Sequence, residues 1–355
     1  MNATEMLIDM DVEYKHYLER YKNNVYLALA KMFDKMAREI KKVVRIDVEG
    51  RWTLKLRNSI IKKLKEVQDK YFTKIDKAFT KELKSFHISN AQTKLGFLEK
   101  VIDEADAELE TFMIEEETFD RYKSHQTVYF DGQTHSYDSL ALAYYTALRA
   151  DIETTIEGAR VQGHDITTIE ENLNSHLNKS RNHLNAWVLT AMAIGTAFSD
   201  QEFTKANPIF NGYQWISVLD AKTTEMCSDR NGKVWYYNAP NLSTLQYEEY
   251  PPIHYRCRST TALITRTAEE LGLTSEKAQQ IFDGKPVQVP TYSAWLESQP
   301  AATQQEILGK TRYAMYKKGE PITGFLTSDN RILSLAELEE LGKAIPAKYT
   351  HYIRR

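Results

Sequence analysis

The sequence predicts an α+β protein, in which an extended N-terminal helical region precedes a helix-rich α+β domain with a small β-sheet and long loops. Two patterns support this prediction. Apolar residues recur every three or four positions through much of the first 120 residues, as they do on one face of a long helix. After Pro208 the pattern changes to alternating β-prone segments separated by turn-forming residues. The 355 residues allow more than one domain.

The N-terminal stripe from Tyr14 to Val43 predicts a helix of roughly eight turns, interrupted at Val48-Glu-Gly-Arg-Trp52. Two further helical stripes run over 60–86 and 98–112. Stripes of this length are typical of antiparallel helical hairpins or bundles. We therefore expect residues 1–126 to form a long-helix region.

Charge is segregated within this region. Residues 51–100 carry 13 Lys or Arg and 5 Asp or Glu, whereas residues 103–120 carry nine acidic residues and no basic one. One interpretation is that solvated helix faces complement one another. The other is that the 51–100 stripe contacts DNA or an acidic partner.

The following segments carry weaker signals. Asp131-Gly132 between β-formers predicts a short hairpin. Apolar spacing predicts helices near 139–163, 167–177 and 181–200. Strands are predicted near 213–220 and 233–237, and a final helix with a serine cap is predicted at 334–341.

Composition excludes several classes of protein. A net charge of −3 and a pI near 6.3 do not favour a free-standing nucleic-acid-binding protein. The apolar run at 186–195 is shorter than the ~20 residues of a membrane span, and the N-terminus does not resemble a signal peptide. We therefore expect a soluble protein made in the cytosol. Two cysteines do not make a disulfide scaffold.

Both cysteines lie in one polar region, in the blocks Asp220-x6-Cys227 and His254-x-x-Cys257. Three interpretations remain open. The two cysteines, His254 and Asp220 could bind zinc. A cysteine and His254 could form the catalytic dyad of a hydrolase. The preferred interpretation is that the cysteines are buried structural residues, or a disulfide outside the reducing cytosol.

Asp220 also has a structural role available. Its carboxylate could cap the turn that contains Thr223, and it could pair with Arg256 or Arg258.

In combination, these blocks resemble the Mu F-like family of tailed-phage minor head proteins, also called head morphogenesis proteins. The resemblance covers roughly residues 127–340. Its signature residues are Trp215, Asp220, Thr223, Gly232, Pro252 and Arg258, and the blocks are Asp220-x-x-Thr223-x-x-x-Cys227, Pro251-Pro252-x-His254-x-x-Cys257-Arg258 and Trp295-Leu-x-x-Gln299-Pro300. Some family members have a further cysteine in each half, at the positions held here by Thr224 and Ser259.

The resemblance implies a structural virion protein rather than an enzyme. It would join the portal vertex during capsid assembly and DNA packaging, enter the head, and leave with the DNA. The alternative is a zinc- or cysteine-dependent hydrolase that uses Cys227, His254 and Cys257. Zinc is the one candidate cofactor, with Cys227, His254, Cys257 and Asp220 as ligands.

The resemblance also divides the chain. It implies an assembly and portal-docking region at 1–126, the Mu F-like domain at 127–345 with its signature at 213–262, and a basic tail at 346–355. The implied partners are the portal protein and the major capsid or scaffolding protein. Packaged DNA would contact the 51–100 stripe, and no membrane would be involved during assembly. The protein would locate to the head or portal vertex of the virion, and to the host cytoplasm during assembly.

Overall fold

A computed structural model of the chain describes residues 1–48, 54–124, 128–130, 133–162, 164, 166–220, 222–237, 250–255, 257–327, 332–343 and 346. The chain divides into two compact units. The helical unit consists of Asp9–Pro208 and Tyr247–Arg256, and the mixed unit of Ile209–Gln246 and Cys257–Arg355 together with Met1–Ile8. The predicted helix-rich α+β class is confirmed.

The described part of the helical unit contains five helices and one hairpin. The helices are α1 (Ala3–Val48), α2 (Leu54–Glu104), α3 (Thr118–Ser124), α4 (Tyr137–Gln162) and α5 (Ile166–Ala206). Strands β1 (Val128–Phe130) and β2 (Gln133–His135) pair antiparallel and confirm the predicted hairpin, although Asp131-Gly132 lies outside the described residues. No helix in the described ranges has an apolar stretch long enough to cross a membrane.

The predicted apolar stripes form the core of this unit. Phe33, Met36 and Ile40 of α1 are fully buried and belong to the same cluster as Phe79 of α2 and Trp187 of α5. The indole of Trp187 packs edge-on against Phe79, with the ring centroids 5.0 Å apart. The length of these helices therefore follows from a continuous apolar face that each one buries against its neighbours.

Two predicted helix boundaries are wrong. The stripe at 98–112 does not form a separate helix, because α2 continues to Glu104 and the chain then leaves helical geometry at Asp106, where φ is 48°. Beyond this point the side chain of Asn207 bonds the backbone N–H and C=O of Phe112, both at 2.8 Å, in place of helical partners. The predicted helices at 167–177 and 181–200 are one helix, α5.

A charge cluster in the interior joins three helices of this unit. Lys94 of α2 pairs with Asp11 of α1 (Nζ–Oδ2 2.5 Å) and lies 4.0 Å from Asp200 of α5, which also accepts a hydrogen bond from Asn90 at 2.9 Å. Burial raises the pKa of Asp200 to about 6. Lys94 is the nearby cation that compensates the charge of these carboxylates.

The mixed unit is built around a three-stranded antiparallel sheet of order β4-β3-β5. Its strands are β3 (Phe210–Ile216), β4 (Val234–Tyr236) and β5 (Thr260–Thr265). The first two confirm the predicted strands. In register, Tyr213 faces Trp235 on one side and Leu263 on the other. Strand β5 was not predicted, although its run of β-branched residues suits a strand.

Short helices surround this sheet. They are α6 (Glu225–Arg230), α7 (Glu276–Ile281), α8 (Tyr292–Ser298), α9 (Ala301–Tyr316), a 3₁₀ turn (Ile322–Phe325) and α10 (Leu335–Glu340). The predicted serine cap of the last helix is confirmed, because Ser334 and Glu337 form a capping box. Except for Pro346, the predicted basic tail lies outside the described residues.

We predict that Lys94→Ala lowers the free energy of unfolding of the helical unit by about 3–5 kcal/mol, because it leaves buried Asp200 and half-buried Asp11 without their cation. The control is Lys81→Ala, an exposed position on the same helix, which should change it by less than about 0.5 kcal/mol. Urea unfolding of the full chain, followed by circular dichroism, measures both. Equal effects of the two substitutions would contradict this role for Lys94.

Candidate functional site

The turn between β3 and α6 is held by two of the predicted signature residues. The carboxylate of Asp220 accepts a hydrogen bond from the backbone N–H of Lys222 at 2.8 Å. The hydroxyl of Thr223 accepts one from the N–H of Asp220 at 2.8 Å and donates one to the carbonyl of Val218 at 2.6 Å. These bonds satisfy backbone groups that no strand or helix satisfies.

Arg258 completes the turn from the other side of the signature. Its guanidinium donates two hydrogen bonds to the Asp220 carboxylate, at 2.6 and 2.7 Å, in the bidentate geometry expected of such pairs. These bonds lower the pKa of Asp220 to about 2. The structure thus engages Asp220 with Arg258 and the turn, and does not group it with the cysteines as a fourth metal ligand.

The two cysteines come together immediately beside this turn. Cys227 lies on α6 and Cys257 just before β5, and these residues are 4% and 8% exposed. The Sγ atoms are 3.6 Å apart and are not joined by a disulfide. His254, the other predicted ligand, is half-buried and is grouped with the helical unit.

The remaining signature residues support the backbone. Trp215 is fully buried in β3, and its carbonyl accepts a hydrogen bond from the N–H of Gly232 at 2.8 Å. Gly232 has φ of +83°, and a Cβ atom there would lie 2.8 Å from a methyl group of Val289, so only glycine fits without strain. Pro252 is buried and follows a cis peptide bond from Pro251.

Sequence reasoning missed three polar residues that organise this region. The Ser217 hydroxyl accepts from the indole N–H of Trp215 at 2.9 Å and donates to the carbonyl of Cys227 at 2.6 Å. Asn231 accepts from the N–H of Ser217 at 2.9 Å. Buried Gln214 bonds both the N–H and the C=O of Val287 at 3.0 Å. In the sequence, a single polar residue between β-prone neighbours does not indicate that its side chain will make such hydrogen bonds.

A second candidate surface lies on α2 of the helical unit. Eight exposed lysines fall within about a third of the helix circumference, given 3.6 residues per turn. We call this the lysine face; it consists of Lys55, Lys62, Lys63, Lys70, Lys74, Lys77, Lys81 and Lys84. Glu66 lies within the same arc, and Asp69 at its edge pairs with Arg149 of α4.

Part of the basic charge in 51–100 is compensated by other helices. Arg57 and Lys65 pair with Glu157 and Glu153 of α4. On the lysine face, Lys70 and Lys84 pair with Glu39 and Glu116 at 3.0 and 3.7 Å. The observed ion pairs therefore support complementary faces for part of the stripe, whereas Lys62, Lys77 and Lys81 present exposed positive charge.

We predict that Arg258→Met weakens the acid-side pH dependence of stability. An Asp with a pKa lowered to about 2 stabilises the fold above its unfolded pKa of about 4, and this contribution disappears as the pH falls towards about 2. The variant should be less stable at neutral pH and should lose less stability on acidification. Urea midpoints from pH 7 down to about pH 2 measure this, and Asp220→Asn should behave in the same way. A pH profile parallel to that of the wild type would refute the assignment.

Comparison with known proteins connects this site to a family. Residues 150–262 match the family model described as Phage Mu protein F like protein. No curated protein and no solved structure matches the chain. The matched segment contains Trp215, Asp220 and both cysteines, so it includes the turn and the cysteine pair described above. The family match over this segment agrees with the resemblance seen in the sequence and supports a Mu F-like phage head morphogenesis protein.

Proposed function

We propose that this protein is a structural minor head protein that associates with the portal protein during capsid assembly and DNA packaging. The observation that carries the proposal is the family match over 150–262, which runs from α4 into β5 and includes the signature residues. The family is one of structural head proteins. The protein would then locate to the virion head, at the portal vertex.

The geometry of the cysteines does not favour the alternative hydrolase. Catalytic cysteines lie in partly exposed positions, where substrate can reach the thiolate. Cys227 and Cys257 are instead buried, and the backbone of Cys227 donates a hydrogen bond to Thr224 and accepts one from Ser217. These features support a structural role for the site.

The helical unit supplies a surface for an anionic partner. The lysine face spans 55–84, about 44 Å along the axis at 1.5 Å per residue, and Glu66 is the one acid within its arc. Duplex DNA carries one negative charge per about 1.7 Å of axis, so a lysine stripe of this length can follow a phosphate backbone. We therefore propose packaged DNA as the ligand of this face, in addition to the portal and the major capsid or scaffolding protein as protein partners.

Portal association predicts that incorporation into particles depends on the portal protein. We would co-express the chain with the major capsid and scaffolding proteins of its phage, with and without the portal protein. The copy number per purified particle would be measured by quantitative mass spectrometry. We expect a low and fixed copy number that falls to background without the portal. Equal incorporation in both particles would overturn the portal assignment.

The DNA proposal predicts that Lys62→Gln/Lys77→Gln/Lys81→Gln weakens duplex binding by the full chain. The slope of log K against log salt should fall by about 0.9 for each phosphate that the variant no longer neutralises. The matched control is Lys310→Gln/Lys317→Gln/Lys318→Gln, which removes the same charge from exposed positions on and after α9. Fluorescence anisotropy across a salt series gives both slopes. A salt-independent affinity, or an equal weakening in the two variants, would remove DNA as the ligand.

A further inference from the structure

We propose that Cys227 and Cys257 form a redox-dependent disulfide, which is open in the reducing cytoplasm of the host and closed in the released virion. The stage at which it closes rests on the proposed function, because a virion protein passes from the first environment to the second. Both cysteines belong to the mixed unit, so the disulfide site is complete within one unit.

The two sulfur atoms are already neighbours. They lie 3.6 Å apart, and no disulfide joins them. A disulfide has a sulfur–sulfur distance of about 2.05 Å. Each sulfur turns about the Cα–Cβ bond of its own cysteine, so rotation of the two side chains brings the sulfurs towards each other. The chain has two cysteines, and an intramolecular disulfide therefore has one possible pairing.

The backbone on each side of the pair is held in place. The carbonyl of Cys227 accepts a hydrogen bond from Ser217 at 2.6 Å. Cys257 directly precedes Arg258, whose guanidinium donates two hydrogen bonds to Asp220 at 2.6 and 2.7 Å. Two thiols that a fold holds side by side react with each other as if at high concentration. This arrangement favours the internal disulfide over mixed disulfides with small thiols.

The disulfide closes by thiol–disulfide exchange with a small disulfide such as glutathione disulfide. Cys257 is the more exposed of the two cysteines, at 8% against 4%, so its thiolate attacks first and releases one glutathione thiolate. The thiolate of Cys227 then attacks the sulfur of Cys257 and expels the second glutathione. Two electrons pass from the cysteines to glutathione disulfide, and the two thiol protons pass to the two glutathione thiolates.

Closure would stabilise the mixed unit. The cysteines are separated by 29 residues of chain, 228–256, and a covalent link between the ends of this segment restricts the unfolded chain. The link would also fasten helix α6 to the residue that precedes Arg258, and so support the turn at Asp220. Thiols stay reduced in the cytosol, whereas disulfides persist on virions. The protein would therefore assemble in its less stable form and be released in its more stable one.

The test on the purified protein uses the full chain, reduced with dithiothreitol, freed of reductant and then incubated with glutathione disulfide. The intact mass should fall by two hydrogens, and a digest without reductant should contain the peptide pair that carries Cys227 and Cys257. The Tm should rise by roughly 5–10 °C for a loop of this length. Dithiothreitol should reverse both changes.

Single substitutions provide the controls. Cys227→Ser and Cys257→Ser should not show the loss of two hydrogens, and each should take up at most one glutathione. Their Tm should not rise on incubation with glutathione disulfide. If both variants fail to fold, the wild type still decides, because its oxidised and reduced forms have the same sequence.

A second experiment tests the stage at which the disulfide closes. Thiols in infected cells are trapped by alkylation before lysis, and the two cysteines are compared by mass spectrometry with those in purified virions. We expect alkylated cysteines in cells and the disulfide in virions. Alkylated cysteines in both samples would overturn the proposed timing.

The proposal is overturned if the folded wild type keeps both thiols, or only takes up glutathione, after incubation with glutathione disulfide. It is also overturned if a bound metal ion holds the thiols reduced, which elemental analysis would show. Neither result would affect incorporation through the portal. If the chain is missing from virions, the proposed function and the timing both fail, whereas the disulfide of the purified protein stands on its own result.

Discussion

The arrangement of the mixed unit depends on the two hydrogen bonds that the hydroxyl group of Ser217 makes. It accepts from the buried indole of Trp215 and donates to the backbone of Cys227, so it fastens strand β3 to helix α6. A buried indole N–H and a buried hydroxyl each cost free energy unless they are paired, and one contact satisfies both. Cys227 is thereby held against Cys257, and the turn at Asp220 is held where Arg258 reaches it.

The two units keep their shape by different means. In the helical unit, continuous apolar faces form the core, and an interior ion pair between Lys94 and Asp11 links helices α1 and α2. The mixed unit has short elements with little apolar area each, so polar side chains must satisfy its loops. Gln214 and Asn231 do so from buried or half-buried positions beside the sheet. Trp215, Asp220, Thr223, Gly232 and Arg258 all lie in this unit.

The hydrogen bonds around Cys227 and Asp220 favour a structural site over an active site. Cysteines, a histidine and arginines close together suggest catalysis when they are seen only in the sequence. In the structure, both thiols are buried, and the carboxylate of Asp220 is paired with Arg258. Thr224 caps the N-terminus of helix α6. Two buried thiols beside a hydrogen-bonded turn suit a structural role better than hydrolysis.

The sequence by itself determined the helix-rich class, the stripes of α1 and α2, the hairpin at 128–135 and the resemblance to the Mu F-like family, because periodicity and motif blocks are local in the chain. It also indicated that Asp220 could cap its turn and bind Arg258. Only the tertiary structure decided that α5 is one helix, that Leu109 and Phe112 leave the helix, and that β5 completes the sheet. It alone assigned Ser217 its role and separated Asp220 from the cysteines. These outcomes depend on contacts between residues distant in the chain, such as Asn207 with Phe112 and Ser217 with Cys227, for which no local pattern exists.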